Sequence, residues 1–206
     1  MTKEYLKNLY TKNSRIPAKY LQDTAFTVPA IDSKSYSNLA NIKDKIDLFV
    51  KQHQNLLISS NTVGNGKTTW ACKILLSYIN NYACNYAYPN SMPVLFINVP
   101  EFLMKKKLAI NDPKILEEVS ELEKGIFEAK IVVFDDIATK TASEYDKELL
   151  YVYVNSRINN LLTSIYTTNV LEDDLEAELG ERLTSRIIGE SNVIKLLGPA
   201  MRGYNK

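Results

Sequence analysis

Residues 61–69 read Asn61-Thr62-Val63-Gly64-Asn65-Gly66-Lys67-Thr68-Thr69. This order of types suits phosphate chemistry. Glycine at 64 and 66 allows backbone angles that a side chain forbids, so the loop amides can turn inward around phosphate oxygens. A helix starting near Lys67 adds its positive end. Lys67 would reach the β- and γ-phosphates, and the Thr68 hydroxyl would bind Mg²⁺. The full pattern GxxxxGK[ST] wants glycine where this chain has Asn61. Asparagine tolerates left-handed angles better than most residues, so the loop is expected to survive. The plain alternative is a glycine-rich turn with a chance Lys-Thr pair. The apolar run before the loop and the helical spacing after it favour the nucleotide reading.

A second cluster ends an apolar run, Ile131-Val132-Val133-Phe134-Asp135-Asp136. Acids at the end of a strand in a nucleotide-binding sheet lie beside the phosphate loop. Asp135 would hold Mg²⁺ through water, and Asp136 would polarise the attacking water. The alternative is a strand that stops in a solvated turn. In Tyr166-Thr167-Thr168-Asn169 the amide of Asn169, with Thr168 beside it, can orient water or touch the γ-phosphate; asparagine also ends strands as a turn former. Arg182 and Arg186 share one helical face. They either pair with the acids before them or send a guanidinium into a neighbouring subunit's site. Arg202 follows the last strand, either as a phosphate contact or as a tail residue bound to nothing. Lys105, Lys106 and Lys107 could track a nucleic-acid backbone with Phe102 stacked on a base, or form a solvated helix end. Lys140 is a weaker candidate of the same kind. Residues 82–88, with Tyr82 and Tyr88 at their ends, are a partner surface or a core edge.

These residues need a scaffold. Apolar runs at Asn55–Ser59, Val94–Asn98, Ile131–Asp135, Thr163–Thr167 and Val193–Leu197 read as strands. Helical spacing fills Lys67–Asn80, Pro100–Leu108, Pro113–Phe127, Ser143–Leu162 and Leu171–Ile188. Strands alternating with helices imply a parallel sheet covered on both faces, and unbroken apolar strands imply burial on both sides. Residues 1–11 suit a short amphipathic helix, 12–40 look irregular, and 39–53 return to a helical period.

Composition limits the chemistry. The chain has 206 residues, 45% hydrophobic and 24% charged, enough for one good core. No apolar run approaches the roughly 20 residues that span a bilayer, and the N-terminus lacks a signal-peptide core. The sequence therefore predicts no membrane partner and a cytoplasmic location. One histidine, His53, and two separated cysteines, Cys72 and Cys84, leave little for a zinc site or a catalytic triad. Trp70 is expected near the nucleotide, as a fluorescence reporter. The net charge is +1, with a basic excess over residues 1–20 and an acidic stretch over 171–181 that holds Glu172, Asp173, Asp174, Glu176, Glu178 and Glu181 with no base.

Taken in order, the phosphate loop, the VVFDD strand, the TTN tip, GERLTSR and the terminal GPAMRG resemble the AAA+ ATPases of the DnaC/DnaI helicase-loader group, in the short form carried by phages and mobile elements in a bacterial host. The resemblance covers residues 36 to 203. It implies a three-layer P-loop core with a five-stranded parallel sheet of order 5-1-4-3-2 and no separate large lid domain. It implies ATP and Mg²⁺ as cofactors, Asn169 as first sensor, Arg186 as the trans-acting finger with Arg182 beside it, and Arg202 as second sensor. The partners implied are a DnaB-type replicative helicase, single-stranded DNA, and further copies of the chain in a spiral or ring. The family commonly has glutamate at position 136; aspartate is one methylene shorter, so slow hydrolysis is expected. Residues 1–35 then stand as a basic partner-binding arm before an ATPase domain over 36–206. Two rival expectations are an IstB-like transposition helper on duplex DNA and a non-enzymatic helicase-binding adaptor with a nearly silent ATP site.

Overall fold

The computed structural model describes residues 2–22, 28–85, 92–138 and 142–201. Its strands are β1 (Asn55–Ser59), β2 (Val94–Asn98), β3 (Ile131–Asp135), β4 (Thr163–Thr168) and β5 (Ser191–Lys195). They form one sheet of order β2-β3-β4-β1-β5, every pairing parallel. This is the expected order read from the opposite edge. All strands therefore point their C-terminal ends the same way, and the loops after β1, β3 and β4 converge at one rim.

The helices are α1 (Lys3–Asn13), α2 (Ser33–Asp44), α3 (Ile46–Lys51), α4 (Lys67–Asn85), α5 (Val99–Leu108), α6 (Pro113–Glu128), α7 (Glu144–Asn159), α8 (Glu172–Leu179) and α9 (Glu181–Gly189). Side chains alternate along each strand, so Leu56 and Ile58 join α1–α4 in one apolar layer. Leu57, Val132, Phe134 and Tyr166 join α5–α9 in the other. Central strands β1, β3 and β4 are buried at every position. Edge strand β5 is not: of its residues Ser191-Asn192-Val193-Ile194-Lys195 only Ile194 is buried. The expectation of burial on both faces thus fails at this edge.

Two expected helices are broken. The 39–53 stretch divides at Lys45 into α2 and α3. The 171–188 stretch divides at Gly180, whose φ of 79° and ψ of 157° lie outside helical geometry. The spacing of Leu175, Leu179 and Leu183 is shared across that break because all three face the same layer. Among its described residues, the 12–40 region holds the end of α1, two single 3-10 turns and the start of α2.

Helix α1 is docked on the core. Leu6 and Tyr10 are buried, and the Tyr10 ring meets Tyr82 of α4 edge-on at 5.5 Å. Just beyond α1, Ser14 O accepts from Phe96 N of β2 at 2.8 Å, so this segment covers part of the β2 edge. At the opposite rim from the phosphate loop, Arg157 of α7 is fully buried. Burial pushes its pKa down to about 9, which leaves it cationic at neutral pH. It donates to Ser164 Oγ, Ile126 O, Ala129 O and Thr163 O, tying α6 and α7 to the start of β4. Among the described residues, no helix is long and apolar enough to cross a membrane.

Candidate nucleotide site

The loop between β1 and α4 has positive φ at Gly64 (83°) and Gly66 (98°), the angles that turn amides inward. Asn61 does not have positive φ. The missing first glycine therefore costs no left-handed residue, and the tolerance invoked from the sequence is not needed. Asn65 and Lys67 are buried within the loop, whereas Val63 is exposed. Lys67 Nζ donates to Thr62 O at 3.0 Å and to Asn65 Oδ1 at 3.2 Å.

The acids meet this loop from β3. Thr68 Oγ1 donates to Asp135 Oδ1 at 2.8 Å, so the two groups expected to hold a cation are adjacent. Burial pushes the Asp135 carboxyl above the usual range, and the Asp136 charge adds to that. Hydroxyls from Thr167 and Thr68, and the Asn98 amide across the β2–β3 pairing, act the other way. Asp136 has φ 54°, a left-handed conformation that strains a residue with a side chain. Two contacts from the β4 tip hold it there. Its N–H donates to Thr167 Oγ1 at 3.0 Å, and its Oδ1 accepts from Asn169 Nδ2 at 2.8 Å.

Thr167 is the residue that sequence reading passed over. It is fully buried, and its one hydroxyl donates to Asp135 Oδ1 at 2.7 Å while accepting from Asp136 N. The available signal was its place in the polar TTN tip that ends β4. Thr168, the neighbour named with Asn169, instead has its Oγ1 accepting from Val170 N at 3.1 Å.

No family model matches the sequence, and no curated protein matches it. Solved structures do match in fold. One is the DnaC helicase loader, with a TM-score of 0.67, 20% identity, and coverage of 87% of this chain and 99% of that one. DnaI gives 0.66 and 18%, over 88% and 94%. Replication initiator DnaA bound to AMPPCP and single-stranded DNA gives 0.64 and 15%, over 88% of this chain and 51% of that one. The chain has the AAA+ fold of the DnaC/DnaI loaders.

Within this AAA+ fold, the structure brings Lys67, Thr68, Asp135, Asp136 and Asn169 to one rim. The arginines lie elsewhere, on α9 against α7. Arg182 does not pair with the acids that precede it. It pairs with Glu148 at 3.3 Å and stacks over the Tyr151 ring at 4.3 Å. The guanidiniums of Arg182 and then Arg186 beside it hold the Tyr151 hydroxyl below the usual phenol range. The first acid of the run, Glu172, is engaged with Lys195 at 2.7 Å and Ser59 Oγ at 3.1 Å.

The nucleic-acid candidates are corrected at one position. Phe102 is 3% exposed and packs edge-on against Tyr153, so it cannot stack on a base without leaving the core. The three lysines beside it are ion-paired across the α5–α6–α7 layer. Lys105 meets Glu118 at 2.9 Å, Lys106 meets Glu123 at 2.6 Å, and Lys107 meets Asp146 at 2.7 Å. Trp70 is buried and meets Tyr36 edge-on at 5.4 Å. Tyr82 belongs to the core edge. Arg202, Lys140, Tyr86 and Tyr88 lie outside the described residues.

Proposed function

We propose that this AAA+ chain is an ATP-dependent helicase loader. The observation that carries the reading is the rim cluster, in which Thr68 Oγ1 donates to Asp135 Oδ1 at 2.8 Å beside a glycine-turned loop and a clamped Asp136. It stands in a fold that a DnaC helicase loader matches over nearly its whole length.

The residues fit ATP with Mg²⁺. The loop amides and the start of α4 supply donors for phosphate oxygens, and Lys67 supplies a cation within the same loop. Thr68 Oγ1 and an Asp135 oxygen form a hard oxygen pair suited to Mg²⁺, which takes few protein ligands when phosphate completes its shell. Bound MgATP supplies the phosphoryl group to be cleaved and a cation that offsets its charge. Asp136 would take a proton from water that Asn169 orients. Arg186 would reach the site of a neighbouring copy, so that turnover depends on assembly. Arg202 would act as second sensor. On this reading ATP binding favours a spiral on single-stranded DNA that delivers a DnaB-type hexameric helicase. Residues 1–35 supply part of the helicase contact, and the protein works in the cytoplasm of a bacterial host.

The test is the ATPase rate without DNA, with single strands and with duplex, using Lys67→Ala as control. Stimulation by single strands that is lost in the control supports the loader. Preference for duplex transfers the case to a transposition helper. Absence of turnover under every condition transfers it to a binding adaptor.

A further inference from the structure

Before its lysine and threonine, a phosphate loop faces phosphate with its backbone, so a buried side chain in its middle needs another reason to be there. Asn65 is 1% exposed, and its carboxamide is used on both sides. Nδ2 donates to Ser60 Oγ at 2.6 Å and to Leu196 O at 3.1 Å. Oδ1 accepts from Lys67 Nζ at 3.2 Å. These partners fix the amide's orientation, because a carbonyl only accepts and an ammonium only donates.

Leu196 follows β5 directly, and the chain from there is tied down twice more. Met201 N donates to Gly64 O at 3.0 Å. Leu197 N and Gly198 N donate to the two carboxylate oxygens of Asp32 at 2.7 and 2.8 Å. Asp32 is itself buried and opens α2. The neighbouring Tyr36 hydroxyl donates to Asn65 O at 3.4 Å. Lysine, loop, C-terminal stretch and N-terminal segment thus form one connected set of hydrogen bonds.

We infer that Asn65 is a positioning residue that sets the Lys67 ammonium and links it to residues 196–201, with Asp32 as the far anchor of that link. The inference rests on the nucleotide reading above for its purpose, and on geometry alone for the link. It makes the grip on phosphate depend on how firmly the N-terminal segment holds the end of the chain.

The test combines two measurements on the full chain. In the first, fluorescent ATP is titrated against the wild type, Asn65→Ala, Asp32→Asn and the double variant. Each single change is expected to weaken binding about tenfold, the loss of one or two buried hydrogen bonds. The double is expected to be no weaker than either single, since both cut the same link. Multiplied losses of about a hundredfold would overturn the inference. Tyr36→Phe replaces Asp32→Asn if that variant does not fold. In the second, amide exchange is followed without nucleotide. Asn65→Ala should speed exchange at Leu197, Gly198 and Met201, and Asp32→Asn should speed it across residues 61–66. Changes confined to each substituted segment would also overturn it. Exchange that spreads in both directions in a protein that binds no ATP would keep the link and remove the nucleotide reading instead.

Discussion

Asn169 Nδ2 donates to Asp136 Oδ1 at 2.8 Å, while Asp136 sits at φ 54°. A non-glycine residue in the left-handed region costs about 1–2 kcal/mol. The β4 tip pays that cost to aim one carboxylate. The two residues therefore act as a unit, the first keeping the second from relaxing into the extended angles that follow most strands.

Asn169→Ala should leave ATP affinity within about twofold, because neither Lys67 nor Thr68 depends on it. Turnover should fall about 10²-fold or more, the usual worth of a placed general base. Single-turnover kinetics checks this. Equal loss of binding and turnover would mean that Asn169 holds the fold of the rim instead.

Asp135→Asn should stabilise the protein without nucleotide. Burial and Asp136 raise the carboxyl's pKa in the folded state, so its stabilising contribution is present below the unfolded value near 4. It is lost as pH rises through the raised folded value. The amide removes that loss. At neutral pH a gain of about 1 kcal/mol corresponds to about 2–4 °C for a chain of this size. The same variant should lose any Mg²⁺-dependent thermal shift with ATP. Melting curves from pH 4 to 8, with and without MgATP, read both.

Arg157→Met should cost about 3–5 kcal/mol, since it strands four buried acceptors at once. Arg157→Lys should recover only part of it, because an ammonium lacks the planar fork that reaches all four. Urea denaturation of the three proteins gives the ranking; equal stability of Met and Arg variants would contradict it.

Gly180→Ala meets no atom within 4 Å of the added Cβ, yet the residue has φ 79°. The cost should be backbone strain alone, about 1–3 kcal/mol, because that φ with a ψ of 157° is a region essentially only glycine occupies, with ATP affinity unchanged. Because Gly180 orients α9, a larger drop in turnover than in stability would place the break itself in the function.

Arg186→Ala should retain ATP binding and lose about 10³-fold or more of assembly-dependent turnover. Mixing it with Lys67→Ala should restore part of that turnover, since Lys67→Ala copies supply the trans-acting arginine that intact Lys67 sites of the Arg186→Ala copies lack. No restoration in any ratio would assign Arg186 to the α7–α9 contact, where it already meets Tyr151.

The sequence by itself determined the strand–helix alternation, four strand positions to within a residue, and the loop and acids that converge on one rim. Those features are local: apolar runs, helical periods and glycine placement are written in neighbouring residues. What it could not determine depends on distant atoms. Gly180 breaks a helix whose leucine spacing continues across the break. Phe102 is a surface residue by its lysine neighbours and a core residue by its contact with Tyr153. Arg182 chooses Glu148 of another helix over acids nearer in sequence. Thr167 earns its role only because β3 and β4 are adjacent, which places one hydroxyl between two consecutive aspartates. The Asn65–Leu196 bond joins positions that no spacing rule connects. Hydrogen bonds are directional and short-ranged, so tertiary packing alone decides which polar groups meet.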